Sequence, residues 1–116
     1  MKYGAVSVNL FKKILVDSDK RRLKSFKDAD LHYRSKLDIP YLNDNNELHK
    51  FDIYYADENK RNDICIIDIH GGSYIFGSRK NQIFYQDVFL KEGFDFLFID
   101  YRHNDGTIGV ENQISD

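Results

Sequence analysis

Disulfide chemistry is the first thing this sequence does without. Its 116 residues hold a single cysteine, Cys65, which excludes an internal disulfide framework; inside an apolar run it reads as a small core residue rather than a nucleophile or a ligand. A basic excess is missing too. Seventeen Lys and Arg stand against 19 Asp and Glu for a net charge of −2, and no basic block outgrows Lys20-Arg21-Arg22, so the electrostatic footprint of a nucleic-acid binder is not there. Long apolar runs are also lacking. The stretch from Ala5 to Phe11 is broken by Ser7 and Asn9 and closed by Lys12-Lys13, too short and polar for a signal peptide or a membrane span. The default expectation is a cytoplasmic protein. There is no internal repeat and no low-complexity tract, and a chain of this length supports one core, burying roughly two thirds of its extended-chain surface.

What is present falls into two parts, an N-terminal helical and charged segment over 1–34 and a strand-rich region over 35–116. Val6, Leu10 and Ile14, with Phe11 and Leu15, recur at helical spacing, so 6–16 reads as a short amphipathic helix. From Asp17 to Asp30 the chain is densely charged, with Leu23 and Phe26 as its large apolar anchors, which describes a second short helix or a solvated surface segment. Residues 35–42 and 47–55 are extended, separated by Asn43-Asp44-Asn45-Asn46, side chains that bond their own backbone in turns. This predicts a β-hairpin, and Pro40, which has no N–H to give a ladder, places the first strand at a sheet edge.

Residues 64–69 are apolar except at Asp68, and 94–99 nearly so; such strands belong inside a sheet covered on both sides. Between them Ser78 is an N-cap, Phe84 with Val88 and Tyr85 with Phe89 stack at i, i+4, and Gly93 sits where a helix ends. Strand, helix of about 14 residues and strand make a parallel βαβ unit. A further helix begins near Val110.

The first of these strands runs into His70-Gly71-Gly72-Ser73-Tyr74. Consecutive glycines bare the main chain, so the loop's N–H groups are free to face a negative or polarised oxygen. Phosphate binding is disfavoured: Gly72 and Gly77 have P-loop spacing, but Ser78-Arg79 stands where Lys-Ser/Thr is needed. A dinucleotide fold would use Asp100 for a ribose, yet Gly-x-Gly is absent and Tyr74, Ile75 and Phe76 crowd the place where a pyrophosphate lies. Ser73 as a nucleophile has only half of a Gly-x-Ser-x-Gly elbow, with Ile75 where a small residue is required. An oxyanion hole suits the loop best. His32, His49 and His103 read as surface or loop residues, and Asp68 with His70 reads as a hydrogen-bonded pair rather than metal ligands.

Taken together, Phe51-Asp52-Ile53-Tyr54-Tyr55, His70-Gly71-Gly72-Ser73-Tyr74, the Gly77-Ser78 helix start and Phe98-Ile99-Asp100-Tyr101-Arg102 resemble the landmarks of the α/β-hydrolase esterases and lipases of the hormone-sensitive-lipase and acetyl-esterase type. The likeness runs over 35–116. It implies the N-terminal part of an α/β-hydrolase fold: an antiparallel hairpin over 35–55, then a parallel βαβ over 64–100, truncated before the nucleophile strand. It further implies that the N–H groups of Gly72 and Ser73 line an oxyanion hole, that His70 and Gly71 organise the loop, and that Tyr74 faces the acyl pocket. Two departures stand out. Ser73 replaces a third glycine, and His103-Asn104-Asp105-Gly106 replaces the usual Leu-Ala-Pro-Glu.

The family's nucleophile elbow lies on a fifth strand, with its acid and histidine later still, and no Gly-x-Ser-x-Gly occurs in these 116 residues. The resemblance therefore implies a carboxylic ester hydrolase segment that carries the oxyanion loop without the triad, needs no cofactor or metal, serves a small acyl ester in the complete enzyme, and is inactive alone. The alternatives are a non-catalytic remnant or interaction module and, behind it, a dinucleotide-binding fold. In the family's strand order, strand 64–69 would be an open apolar edge, so self-association through it is expected.

Overall fold

The computed structural model describes residues 3–26, 33–81 and 86–116. Four strands form one sheet: β1 (Ser35–Pro40), β2 (Lys50–Tyr54), β3 (Cys65–Ile69) and β4 (Asp95–Ile99), in the order β1-β2-β4-β3. β1 pairs antiparallel with β2, β2 antiparallel with β4, and β3 parallel with β4. The hairpin and the parallel unit are those the residue pattern predicts, and Pro40 lies on an edge strand.

Local chemistry explains the wide hairpin turn. Asp44 Oδ1 accepts from the Asn46 N–H at 3.0 Å and Asn46 Oδ1 from the Leu48 N–H at 3.0 Å, so side chains satisfy backbone that would otherwise extend the ladder. β1 is bulged between Lys36 and Ile39, where Asp38 takes a φ of 56° and its N–H donates to Asp52 Oδ1 at 2.7 Å. The bulge turns Asp38 toward the sheet's polar end, where it becomes useful.

Between β3 and β4 the chain forms the loop 70–78, a 3-10 turn at Arg79–Asn81 and the helix α2, Gln86–Lys91. The Ser78 hydroxyl accepts from the Lys80 N–H at 3.2 Å, and Gly93 follows α2 at φ 89°. Gly93 agrees with the predicted helix end, whereas Ser78 opens a 3-10 turn over Arg79–Asn81 rather than an α-helix of about 14 residues, and the described α-helix between the two strands runs only over Gln86–Lys91. The pairs built on Phe84 and Tyr85 lie outside the described residues, as does His32.

Cross-strand rows decide where the core sits. Tyr54, Phe96 and Ile66 share one row and Asp52, Phe98 and Asp68 the next; on this face Ala56, Leu90, Phe96 and Phe98 are buried together, with Phe96 and Phe98 ring centroids 4.8 Å apart. The alternate rows, Ile53·Leu97·Ile67 and Phe51·Ile99·Ile69, point the other way. There Ile67 is 62% and Ile69 68% exposed.

Strand 64–69 is therefore not covered on both sides, contrary to its composition. α2 packs on one face, and at the end of β3 the other face has no equivalent layer among the described residues. Cys65, read as a core residue, is exposed on that same side.

A second difference concerns the N-terminus. α1 is one continuous helix, Tyr3–Phe26, and does not stop near residue 16. No proline and no glycine after Gly4 interrupts it, so charge density alone does not end a helix whose residues are good helix formers. Leu10, Phe11 and Ile14 remain exposed, and Asn81 Nδ2 reaches Asp19 Oδ2 at 3.2 Å. No helix among the described residues is long and apolar enough to cross a membrane.

Candidate functional site

The site is built from the ends of two adjacent parallel strands. Where β4 ends, Asp100 is buried at 2% exposure; where the chain leaves the 70–78 loop, Arg79 is buried at 4%. The Arg79 N–H donates to Asp100 Oδ1 at 2.6 Å, its Nη1 donates to Asp100 Oδ2, its Nε to Asp52 Oδ1 at 3.0 Å and its Nη2 to Asp38 Oδ1. One guanidinium thus joins β1, β2 and β4. Burial opposes the charge on Arg79, but the hydrogen bonds and charges of Asp52 and Asp100 raise its pKa above the ordinary value. For Asp100 burial pushes upward, and the His70 side chain with the Arg79 N–H and guanidinium outweigh it, holding the carboxyl below its usual range.

His70, 3% exposed, follows β3 and rests on this cluster. Its Nε2 lies 3.3 Å from Asp100 Oδ1, without the alignment of a linear hydrogen bond, and its Nδ1 is 3.0 Å from the Gly71 carbonyl. The ring stacks on Tyr101 with centroids 4.5 Å apart and 15° between planes, while the Tyr101 hydroxyl donates to the His70 carbonyl at 2.9 Å. A Cβ at Gly77 would stand 2.1 Å from His70 Nδ1, so only glycine lets the chain cross the ring there.

The expected Asp68–His70 pair does not form. Two-residue alternation holds only inside the strand, and His70 lies past its end, so the ring turns to Asp100. Asp68 Oδ2 is left buried with no hydrogen-bond partner, and burial raises its pKa, with His70 opposing.

Above His70 the loop makes a turn in which the Ile75 N–H donates to the Gly72 carbonyl at 3.2 Å. Gly72 has φ 145°, Ser73 54° and Tyr74 65°. A Cβ on Gly72 would meet the Phe76 carbonyl oxygen at 1.7 Å. Among the described residues the N–H groups of Gly72, Ser73 and Tyr74 have no acceptor, and successive free N–H groups of this kind form an anion-seeking concavity. They border an apolar cleft of about 460 Å³ lined by residues 69–74, Tyr101 and three residues of α3 (Val110–Ser115). Ser73 is exposed, and no hydrogen bond among the described residues reaches its hydroxyl.

Segment 101–116 closes the other wall. Arg102 Nε donates to Asp116 Oδ1 at 2.8 Å and the Arg102 N–H to Asp116 Oδ2 at 2.9 Å, clamping α3 to the end of β4. His49, read as a surface residue, is buried instead: Nδ1 is 2.5 Å from Asp44 Oδ2 and Nε2 3.3 Å from Asp116 Oδ1. The hairpin turn folds back on α3, a long-range contact that local composition does not encode. His103 is half-buried, its ring edge-on to His70 at 5.9 Å; burial lowers its pKa, and the charges of His70 and Lys12 add to that. No group of three His, Cys, Asp or Glu among the described residues is arranged to hold a metal ion.

Arg79 and Asp52 are the site residues that sequence reasoning missed. A signal existed: Asp52 stands between Phe51 and Ile53, and Asp100 directly follows the apolar run Phe96–Ile99, and a buried carboxylate needs a buried cation.

The strand order and connections are those of the N-terminal part of an esterase-like α/β-hydrolase fold. The chain belongs to the BD-FAE family, whose model matches residues 51–116, more than half of its length. Among solved structures, esterase B from Lactobacillus rhamnosis, inhibited by a C6-C4 SN3 compound, superposes with a TM-score of 0.79 at 20% identity over 95% of this chain, a likeness that shows the fold. A bifunctional GH43-CE protein of Bacteroides eggerthii (TM-score 0.59, 28% identity) is matched over 69% of this chain and 11% of its own, and a truncated carbohydrate esterase from gut microbiota (0.58, 28%) over 74% and 31%. This chain spans about a third of the length of the L. rhamnosis esterase, 35%. No curated protein matches it.

Proposed function

We propose that His70–Tyr74 is the oxyanion loop of a carboxylic ester hydrolase acting on small acyl esters. The observation that carries this reading is the row of uncommitted N–H groups on Gly72 and Ser73 at the wall of an apolar cleft. As a nucleophile attacks an ester carbonyl, the oxygen gains charge, and donors held in place beforehand stabilise it without reorganising, each worth roughly 3 kcal/mol in the barrier. His70 and Gly71 set the loop's height above the Arg79 cluster, and Tyr74 flanks the acyl pocket.

The 116-residue chain contributes the loop and no triad, so alone it does not turn over ester. A chromogenic acetyl ester incubated with it is expected to show background hydrolysis only. Turnover abolished by Ser73→Ala would overturn this and make Ser73 the nucleophile.

The bare β3 edge favours a second reading, an interaction module that completes its sheet by pairing with another copy through 64–69. Sedimentation of the same preparation tests it: a concentration-independent monomer ends this reading.

A further inference from the structure

We propose that Gln113 is the positioning residue of this site: by donating both amide protons to backbone carbonyls, it holds the left-handed turn at Ser73–Tyr74 that presents the oxyanion donors. This deepens the oxyanion reading and rests on it.

Gln113 Nε2 is 2.8 Å from the Tyr74 carbonyl and 2.7 Å from the Arg102 carbonyl. Both acceptors are carbonyl oxygens, so the nitrogen must lie there; a flipped amide would set oxygen against oxygen. The cost of this orientation is visible in Gln113 Oε1, which is buried with no partner. A side chain placed merely to satisfy itself would not leave an acceptor stranded. What its two donors accomplish is a bridge from the glycine turn to the segment after β4, at the point where Arg102 and Asp116 clamp α3.

The turn needs such a tie. Ser73 and Tyr74 are consecutive non-glycine residues at φ 54° and 65°, a region in which side chains crowd the backbone and which persists only when its surroundings enforce it. The Tyr74 carbonyl is where that enforcement is applied, because it takes the Asn104 N–H at 2.7 Å as well as Gln113. Asn104 belongs to the loop after β4; Gln113 is the donor that comes from a clamped helix. Without it Tyr74 is free to relax to a negative φ, rotating the peptide units that carry the Ser73 and Tyr74 N–H groups away from a common point.

The test follows the amide resonances of Gly72 and Ser73 in the isotope-labelled 116-residue chain while sodium butyrate, whose carboxylate stands in for the charged oxygen, is titrated. In the unsubstituted chain both resonances move saturably. In Gln113→Ala, and in the uncharged Gln113→Met, which keeps the side chain's length without an amide, the affinity falls about tenfold, as expected when two net hydrogen bonds are lost, while the amides of β2 and β4 keep their positions. Adding Tyr74→Gly to Gln113→Ala restores most of the affinity, because glycine adopts this φ without strain.

Unchanged affinity in both Gln113 variants, no restoration by Tyr74→Gly, or loss of the whole sheet in both variants overturns the positioning role. If butyrate moves neither amide in the unsubstituted chain, the oxyanion reading fails, and Gln113 is judged by hydrogen exchange at Ile75, whose N–H closes the turn: protection lowered about tenfold in Gln113→Ala upholds the role, and unaltered protection overturns it.

Discussion

The Arg79 cluster and the glycine turn lie side by side, and they treat hydrogen bonds in opposite ways. Around Arg79 the guanidinium and backbone N–H donors meet carboxylates of Asp38, Asp52 and Asp100. In the turn above it, three successive N–H groups have no partner among the described residues. His70 joins the two regions, lying 3.3 Å from Asp100 on one side and 3.0 Å from the Gly71 carbonyl on the other. On the proposed reading, the paired carboxylates and guanidinium below support a turn whose donors stay uncommitted. Flexible donors would bond one another or water, and would have to reorganise before stabilising charge.

The base is where the largest effect is expected. Arg79→Met leaves Asp52 and Asp100 buried without their cation, a change that costs roughly 3–5 kcal/mol in other buried ion pairs; the chain should lose its cooperative melt by circular dichroism. A variant that melted like the unsubstituted chain would break the comparison, since the base would then carry nothing.

Gly72→Ala comes next. Its methyl would meet the Phe76 carbonyl, so the turn must move, with a stability loss of about 1–3 kcal/mol. The sheet amides should stay in place while the butyrate response of Gly72 and Ser73 disappears. Retained binding would show that the donors do not depend on the turn's shape.

The smallest effect belongs to Asp68, whose buried Oδ2 has no partner. Burial raises its pKa in the folded chain. A raised folded value means that the carboxyl favours folding below its unfolded pKa of about 3.9 and loses that contribution as pH rises through the folded value. Asp68→Asn should therefore stabilise by less than about 1 kcal/mol at pH 7 and not at pH 3, read from denaturant midpoints at both values. An equal gain at both would show that the carboxylate's ionisation is not its source.

Much of this was legible from residue types. The hairpin follows from Asn43–Asn46 and Pro40, the parallel unit from two apolar runs around a capped helix, and the loop from His70-Gly71-Gly72. The failures share a cause. The continuity of α1, the burial of His49, the exposure of Cys65 and the turn of His70 from Asp68 to Asp100 all depend on what lies opposite in space, and local composition does not record that.

The sequence by itself determined the order of the strands and the glycines that allow a left-handed turn, and its motifs carried the resemblance to the family. The first two are local properties, set by side-chain volume, backbone freedom and hydrophobic period. Tertiary structure alone decided which charges meet. Arg79 is 27 residues from Asp52 and 41 from Asp38, and Gln113 is 39 from Tyr74; no spacing rule links such pairs. They come together because the sheet order β1-β2-β4-β3 brings the ends of distant strands to one place, where a buried charge finds its partner and the turn finds its tie.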